Sequence, residues 1–368
     1  MTLFLSILAF ILLLTLLIII HELGHFTLAK FFKVDVEEFG FGLPPKAVTL
    51  FTSGMTKFTL NWVPFGGFVR LKGENSIETE QRYEKGSFAS ASSIARILIL
   101  CGGVAMNFLL AFALLVYGFS LGQWVPHHYV SQDQLEQARV LGELTFEDGT
   151  FVQDVIPKSS AETAGIIKGS AIVAIDGTTI SSPEDLVRLQ KDKQTVVYTV
   201  EEGLKKVRRD VSITLVDGKA GVALTSKRIS ANRRSVLRAI ELSGTEALFM
   251  TEQTVQGILH LFKSLIVNHR VPEGITGIVG IAVLTYVSVQ DGLGTYLQLV
   301  ALLSLSLAIL NILPLPALDG GRLLFVLIEL VIRRPLNQQF ELMVNAVGFF
   351  VLIALIVIIT LNDVIHLF

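Results

Sequence analysis

Cysteine is almost absent from this chain of 368 residues, and charge is sparse and nearly balanced. The single cysteine, Cys101, excludes an intrachain disulfide and any metal site built from several cysteines. A net charge of -2 leaves none of the basic excess that nucleic-acid binding usually requires, so we expect no nucleic-acid partner. Charged residues make up 17% of the chain, whereas soluble proteins contain about a quarter. The composition therefore argues against an ordinary soluble enzyme.

Hydrophobic residues are abundant instead, at 51% of the chain with a mean hydropathy of +0.62. A bilayer-spanning helix needs about 20 apolar residues, and the long runs predict four such helices in residues 1–30, 94–121, 296–318 and 342–361. The first run lacks a basic start and an A-x-A cleavage site, so we predict a retained helix and no signal peptide. We therefore predict a polytopic α-helical membrane protein. The shorter apolar run Leu323 to Ile332 predicts an interfacial or buried helix.

Basic residues in the short loops predict the orientation. Arg322, Arg333 and Arg334 lie between the third and fourth spans, whereas no Lys or Arg precedes the first span or follows the last. Lys and Arg favour the cytoplasmic side of a membrane. We therefore expect both termini and the long region 122–295 outside, with loop 31–93 in the cytoplasm.

The first predicted span ends in LLIIIHELGHF, residues 16–26, which places ionisable side chains at membrane depth. His21 and His25 share one helix face because they are four residues apart, and Glu22 lies beside them. In this H-E-x-x-H arrangement two imidazoles bind zinc and the glutamate takes a proton from water, which predicts peptide hydrolysis. The alternative is a set of interfacial polar residues whose histidines reach towards lipid headgroups.

A catalytic zinc site takes three protein ligands, so one more is needed. Residues 26–45 offer only three acidic side chains, in a charged, strand-like stretch. Asp319 is the better candidate. The stretch NILPLPALDGG, residues 311–321, places it beside helix-breaking prolines at the end of the third span. This end faces the cytoplasm in the predicted orientation, as the two histidines do. The alternative for Asp319 is an Asp-Gly turn that ends the helix at the membrane surface.

Together the two motifs resemble those of a known family. H-E-x-x-H in the first span and N-x-x-P-x-P-x-L-D-G in the third resemble the motifs of the site-2 protease family of intramembrane zinc metalloproteases. Within that family, the layout of the chain is similar to that of the bacterial regulator of sigma-E protease. The resemblance covers essentially the whole chain. It implies that His21, His25 and Asp319 bind Zn²⁺ and that Glu22 is the catalytic base.

The resemblance also implies residues that hold the substrate. Asn311 matches the asparagine of the family's motif in the third span. Asn107 lies in GGVAMNF, residues 102–108, which corresponds to an element of the second span. Val104 replaces the proline that is common there, so this stretch departs from the family pattern.

Region 34–72 predicts a membrane-associated β-hairpin. Two β-rich runs within residues 46–63 flank a turn, and apolar side chains alternate onto one face of the second run. The edge of such a hairpin can receive an extended substrate as an added strand, and relatives in the family have a substrate-binding hairpin here. The candidate substrate contacts are Phe58, Leu60, Gly66 and Gly67. The alternative is a plain cytoplasmic hairpin.

Residues 141–224 resemble one PDZ domain of α+β structure. The stretch AGIIKGSAIVAIDG matches the bacterial PDZ pattern, with Ser170 in place of the usual aspartate. PDZ domains bind extended peptides by strand addition, so a peptide ligand and a role in screening substrates by size are expectations. Helical spacing in residues 233–268 predicts an amphipathic helix on the outer membrane surface, or an ordinary core helix beneath the PDZ domain.

These features predict an intramembrane zinc endopeptidase of the bacterial cytoplasmic membrane, with its active site towards the cytoplasm. Relatives cut single-span substrates such as anti-sigma factors or leftover signal peptides, in regulated intramembrane proteolysis. One alternative is a non-catalytic membrane scaffold that uses the PDZ domain and the hairpin to hold partners. A CAAX-processing protease is less compatible, because it would carry neither the PDZ segment nor the L-D-G motif.

Overall fold

The computed structural model describes residues 2–74, 79–202 and 206–367. It divides into two compact units, one formed by Met1–Gly122 with Ser235–Phe368 and one formed by Gln123–Arg234. The elements follow in chain order: α1 (Thr2–Phe31), β1 (Val36–Ser53), β2 (Thr56–Leu71), α2 (Thr79–Arg82), α3 (Ser93–Ser120), α4 (Gln132–Val140), β3 (Leu144–Val155), α5 (Ser160–Thr163), β4 (Ala171–Ile175), β5 (Thr178–Thr179), α6 (Pro183–Gln190), β6 (Thr195–Glu202), β7 (Val207–Thr214), β8 (Val222–Ala231), α7 (Val236–Val267), α8 (Ile278–Gln290), α9 (Leu293–Ile312), α10 (Asp319–Ile332) and α11 (Gln338–Leu367).

The first unit is mainly helical. In the described part of the chain, four helices are long and apolar enough to cross a membrane, namely Leu3–Phe31, Ser93–Ser120, Leu293–Ile312 and Gln338–Ile365. They coincide with the four predicted spans, so the chain has the helices of an integral membrane protein. The short predicted helix is also present, as α10, although it begins earlier than expected, at Asp319.

The third span ends sooner than the sequence pattern suggested. We predicted a helix up to residue 318, whereas α9 ends at Ile312 and Leu313 is extended, with ψ 142°. Leu313 precedes a proline, which disfavours helical backbone at that position. A short non-helical segment, residues 313–318, therefore connects α9 to α10.

Helices α1 and α3 cross at glycines. A Cβ atom on Gly24 would lie 2.1 Å from the carbonyl oxygen of Gly102, an approach that no residue with a side chain permits. Ser92 caps α3, because its side chain accepts a hydrogen bond from the backbone N–H of Ala95 at 3.2 Å. The close crossing places α3 directly beside the C-terminal half of α1.

Strands β1 and β2 are antiparallel and longer than the predicted runs in residues 46–63. The register pairs Phe39 with both Phe58 and Val69, so the first part of β1 lies between the two parts of β2. The second part of β1 pairs with the first part of β2. The segment around Phe58 is therefore paired on both sides. Residues 67–71 pair on one side only among the described strands, so they form an edge.

The second unit contains an antiparallel sheet with strand order β7-β6-β4-β3-β8, and β5 pairs with β4. Ile172, Ile175, Val196 and Tyr198 belong to one hydrophobic cluster of this unit, and Ala138, Leu144 and Ala231 belong to another. The hydroxyl of Tyr198 donates a hydrogen bond to Oε1 of Gln190 in α6 at 2.5 Å, and burial raises the pKa of that hydroxyl. Strand β8 is an edge of the sheet, and the predicted PDZ region, residues 141–224, lies within this unit.

Helix α7 occupies the region where residues 233–268 predicted an amphipathic helix. One face is buried and includes Ala239, Leu242, Ala247 and Met250. That face packs against α3 and α9 of the same unit. Other apolar side chains of α7 remain exposed, for example Leu248 at 74%.

Candidate active site

Three side chains with metal-binding atoms meet near the end of α1. Nε2 of His21 lies 2.8 Å from Oδ2 of Asp319, Nε2 of His25 lies 3.2 Å from the same oxygen, and the two imidazole nitrogens are 3.1 Å apart. The two histidines are buried, with 6% and 8% of their surface exposed. Within residues 2–74, 79–202 and 206–367, these three form the one group of His, Cys, Asp or Glu side chains placed to hold a metal ion.

The donor set fits a zinc ion. Ligands at about 2.0–2.1 Å from zinc in a tetrahedron are about 3.3 Å from one another, and the three observed separations are 2.8, 3.1 and 3.2 Å. Two imidazoles and one carboxylate make three protein ligands, as in catalytic zinc sites that leave the fourth position to water. The structure thus brings together the three residues predicted as ligands, although Asp319 is 298 residues from His21 in the chain.

A backbone group orients His25. Nδ1 of His25 lies 2.8 Å from the carbonyl oxygen of Ile99 on α3. Because a carbonyl oxygen only accepts hydrogen bonds, Nδ1 carries the hydrogen and Nε2 presents its lone pair to the site. No sequence motif indicated Ile99, since a backbone carbonyl can come from a residue of any type.

The segment between α9 and α10 positions Asp319. Ala317 has φ +70°, and its backbone N–H donates to Oδ1 of Asn345 on α11 at 3.1 Å. A Cβ atom on Gly320 would lie 2.1 Å from the carbonyl oxygen of Leu313, so the residue after Asp319 must be small. These contacts hold the start of α10 closely against the preceding turn, which fixes the direction of the Asp319 side chain.

The two predicted substrate-binding asparagines occupy different places around His21. Nδ2 of Asn311 lies 3.5 Å from Nε2 of His21, on the side of the imidazole that faces Asp319. Nδ2 of Asn107 lies 3.4 Å from Nδ1 of His21, on the other side of the ring, and Asn107 is completely buried. Asn311 is partly exposed and Asn107 is buried, so the Asn311 side is the more open side of the site.

Glu22 faces the edge of the β-sheet. A Cβ atom on Gly67 would lie 3.8 Å from Cγ of Glu22 and 3.8 Å from Cγ2 of Ile18, and the carboxylate of Glu22 lies against the backbone amide of Val69. The predicted Gly67 therefore lies beside the predicted base. Gly66 has φ +93° and packs against Leu43.

Phe58 and Leu60, the other predicted substrate contacts, lie on the inner segment of the sheet. The ring of Phe58 stacks on Phe51 with ring centroids 4.4 Å apart, and Leu60 is 44% exposed. Both neighbouring segments are already paired with this one. Phe58 and Leu60 can therefore contact a ligand only through their side chains, whereas residues 67–71 offer backbone groups.

Ion pairs form a second group of charges near the site, most of them largely buried, which the sequence analysis missed. Arg322 lies one helical turn after Asp319, where its charge interacts with Asp319 and Glu22. Arginine and glutamate residues from distant parts of the chain line one cavity here. The pairs are Arg322 with Glu74, Arg96 with Glu329 at 2.6 Å and Arg82 with Glu341 at 3.3 Å.

Comparison with known proteins identifies the family. The model of "Peptidase family M50" matches residues 9–355. The chain belongs to peptidase family M50. It is therefore a peptidase, which confirms the predicted enzyme class and the predicted family.

Relatives match along nearly their whole length. A protein of Clostridium perfringens is 29% identical over 95% of this chain and 95% of its own. Zinc metalloprotease RasP of Geobacillus kaustophilus is 28% identical over 98% of this chain and 97% of its own, and RasP of Bacillus licheniformis is 28% identical over 99% of both. The names of the RasP proteins agree with zinc as the predicted cofactor.

Proposed function

We propose that this chain is an intramembrane zinc endopeptidase, which hydrolyses peptide bonds in or near the membrane-spanning segments of single-span proteins. The observation that carries the proposal is the meeting of His21 and His25 with Asp319, beside Glu22. The two histidines are four residues apart on a helix long enough to span a bilayer, and Asp319 comes from the start of α10. Membership of family M50 supplies the reaction class. Buried ionisable groups at membrane depth are costly, which favours a functional role over a structural one.

The residues around the site have separate tasks in this proposal. His21, His25 and Asp319 hold the zinc ion. When bound, zinc lowers the pKa of water to about 7 and polarises a carbonyl oxygen. Glu22 accepts the proton of the attacking water and passes it to the leaving amine. Asn311, whose Nδ2 lies 3.5 Å from Nε2 of His21, donates an N–H to the substrate backbone on the open side of the site.

The β-sheet edge at residues 67–71 is the proposed substrate strand. A membrane helix hides its carbonyl groups in its own hydrogen bonds, so it must unwind before cleavage. An extended substrate that adds to this edge would lie beside Glu22, because Gly67 and Val69 already face that side chain. Phe58, Leu60 and Gly66 would support the sheet and contact substrate side chains.

The second unit is the proposed PDZ domain. Its stretch AGIIKGSAIVAIDG leads from the end of α5 through β4, as in the bacterial PDZ pattern. Strand β8 is an edge, and α6 lies close to it, which together would form a groove for an extended peptide. We propose that this domain binds peptide ends and screens substrates by size.

The proposed location is the bacterial cytoplasmic membrane, with the termini and the second unit outside and the active site towards the cytoplasm. The basic residues Arg322, Arg333 and Arg334 in the short connection between the third and fourth spans support this orientation. The proposed substrates are single-span proteins such as anti-sigma factors or leftover signal peptides, cut in regulated intramembrane proteolysis.

Cleavage of a model single-span substrate by the purified full chain in detergent tests the proposal. Wild type and Glu22→Gln are compared, with bound zinc measured in both. Glu252→Gln on the exposed side of α7 serves as the control, because it makes the same chemical change away from the site. We expect wild type and control to cut, Glu22→Gln to be inactive, and all three to hold about one zinc ion. A wild type that holds no metal and cuts none of several substrates would refute the proposal.

A further inference from the structure

Asn107 is buried with one of its two side-chain polar atoms unpaired. It lies on α3 with 0% of its surface exposed. Its Nδ2 lies 3.4 Å from Nδ1 of His21, whereas its Oδ1 has no hydrogen-bond partner among the described residues. An unpaired polar atom in a buried position is destabilising, so its presence here needs an explanation.

The backbone of Asn107 is held firmly. Oγ of Ser304 on α9, which is also completely buried, donates a hydrogen bond to the carbonyl oxygen of Asn107 at 2.8 Å. This bond joins α3 to α9 at the level of His21. The bond holds the backbone of Asn107, whereas the orientation of the carboxamide depends on rotation about the side-chain bonds.

The orientation of the carboxamide decides which nitrogen of His21 can bind a metal. With Nδ2 towards the ring, Asn107 donates to Nδ1, so the hydrogen of a neutral imidazole resides on Nε2. Nε2 then donates to Oδ2 of Asp319, 2.8 Å away, and has no lone pair for a metal. With Oδ1 towards the ring, Asn107 accepts the hydrogen of Nδ1 and the lone pair of Nε2 is free. The two orientations fill nearly the same space, because amide oxygen and nitrogen differ little in size.

His25 shows the arrangement that a ligand requires, because its Nδ1 donates to the carbonyl oxygen of Ile99 at 2.8 Å. For His21, the side chain within hydrogen-bond distance of Nδ1 in the described part of the chain is that of Asn107. Histidine ligands usually donate their second nitrogen to an acceptor, which fixes the ring and strengthens metal binding.

We propose that Asn107 is a positioning residue for zinc, whose Oδ1 accepts the Nδ1 hydrogen of His21 and so fixes the metal-binding tautomer. This inference rests on the proposed zinc site. It also replaces the substrate-binding role predicted for Asn107, since a completely buried side chain behind the imidazole cannot contact a substrate. Asn311, on the other side of His21, keeps that role.

Zinc affinity of the full-length protein in detergent, measured by competition with a chromogenic chelator, tests the inference. Asn107→Asp keeps an acceptor of the same size, whereas Asn107→Leu keeps the size and removes the acceptor. We expect Asn107→Leu to bind zinc ten- to hundredfold more weakly and Asn107→Asp to bind it as well as wild type or better. Ser304→Ala, which leaves the carboxamide intact, should change zinc affinity much less.

Unfolding temperature without zinc separates this effect from a loss of fold, and Asn107→Ala replaces the leucine variant if the latter does not fold. Equal zinc affinity in wild type and the acceptor-free variant would overturn the inference and leave the zinc site intact. Equal weakening by Asp and Leu would also overturn it, because the acceptor would then be irrelevant. A wild type without zinc would overturn the proposed function together with the inference.

Discussion

Gly103 lies directly against His25. A Cβ atom on Gly103 would be 2.6 Å from Nε2 of His25, and equally close to Nε2 of His21. Real Cβ atoms are not found at such distances from another heavy atom, so a side chain here must displace one of the imidazoles. Helix α3 thus forms one wall of the candidate metal site through a residue without a side chain.

Gly103→Ala should therefore remove zinc binding. The added methyl group lies where the two nitrogens converge, so we expect at least a hundredfold loss of zinc affinity and no measurable peptidase activity. Zinc content after dialysis and cleavage of a single-span substrate measure the two effects. Gly244→Ala on α7 is the matched control, because a Cβ atom there would meet nothing within 4 Å. Zinc retained at wild-type affinity in Gly103→Ala would show that α1 and α3 can separate.

Gly67→Val should reduce cleavage and leave zinc binding unchanged. A Cβ atom on Gly67 would lie 3.0 Å from the carbonyl oxygen of Gly40, so the paired strands must move slightly apart, and 3.8 Å from Glu22 and Ile18. The two further methyl groups of valine therefore fill the space between the sheet edge and the base. We expect kcat/KM to fall about tenfold or more, equivalent to about 1.4 kcal/mol of transition-state stabilisation.

The control for Gly67→Val is Thr49→Val, an exposed position on the second part of β1 that is paired with Thr59. It makes the same sheet more apolar on the second part of β1, which is separated from residues 67–71 by two paired segments. If both variants cleave as wild type does, the substrate does not pass between residues 67–71 and Glu22.

Local patterns in the sequence located the three candidate ligands, because each motif depends on one short segment. H-E-x-x-H needs only helical periodicity to place His21 and His25 on one face. The prolines after α9 indicated where a non-helical turn would present Asp319. Four long apolar runs predicted the four spans for the same reason, since length and hydropathy are local properties.

The features that the sequence did not predict depend on contacts between distant segments of the chain. The carbonyl oxygen of Ile99 reaches His25 only because α3 crosses α1 at glycines. The first part of β1 is paired on both sides, whereas we predicted a simple two-stranded hairpin. The additional pairing depends on the strand register, which is set by side chains far apart in the chain. Arg96 and Glu329 are separated by 233 residues, and no periodicity connects them.

The ion pair between Arg96 and Glu329 predicts a large effect on stability. Nη1 of Arg96 lies 2.6 Å from Oε2 of Glu329, and the side chains are 13% and 8% exposed. Glu329→Ala leaves a buried guanidinium without its partner, which costs about 3–5 kcal/mol. We expect a clearly lower unfolding temperature in detergent, and partial recovery in the double variant Arg96→Met with Glu329→Leu, which removes both charges.

Arg139→Ala is the comparison for that pair. Arg139 and Glu136 form an ion pair whose side chains are about half exposed, at 52% and 51%. Exposed pairs contribute little to stability because solvent and salt screen them, so the unfolding temperature should hardly change. Similar effects of Glu329→Ala and Arg139→Ala would mean that the buried pair contributes no more than a surface one.

Asp176 predicts a local pH dependence in the second unit. Nζ of Lys193 and the backbone N–H of Val197 both donate to its carboxylate at 2.7 Å, and these bonds lower its pKa. A carboxyl group whose pKa is lower in the folded than in the unfolded state stabilises the fold above its unfolded pKa of about 3.9. That stabilisation is lost as the pH falls through the folded pKa. The turn between β4 and β5 should therefore loosen selectively in acid.

Hydrogen exchange of the full chain in detergent, followed in peptides that cover residues 171–200, measures this loosening. Asp176→Asn should raise exchange at neutral pH, because a neutral amide pairs poorly with Lys193. In the variant, the free energy of opening this turn should depend less on pH below about pH 4. Asp217→Asn is the control, because Asp217 is exposed and shares a positive φ, 51° against 48° for Asp176. Unchanged exchange in Asp176→Asn, or an equal change in both variants, would show that the bonds to Lys193 and Val197 do not stabilise the turn.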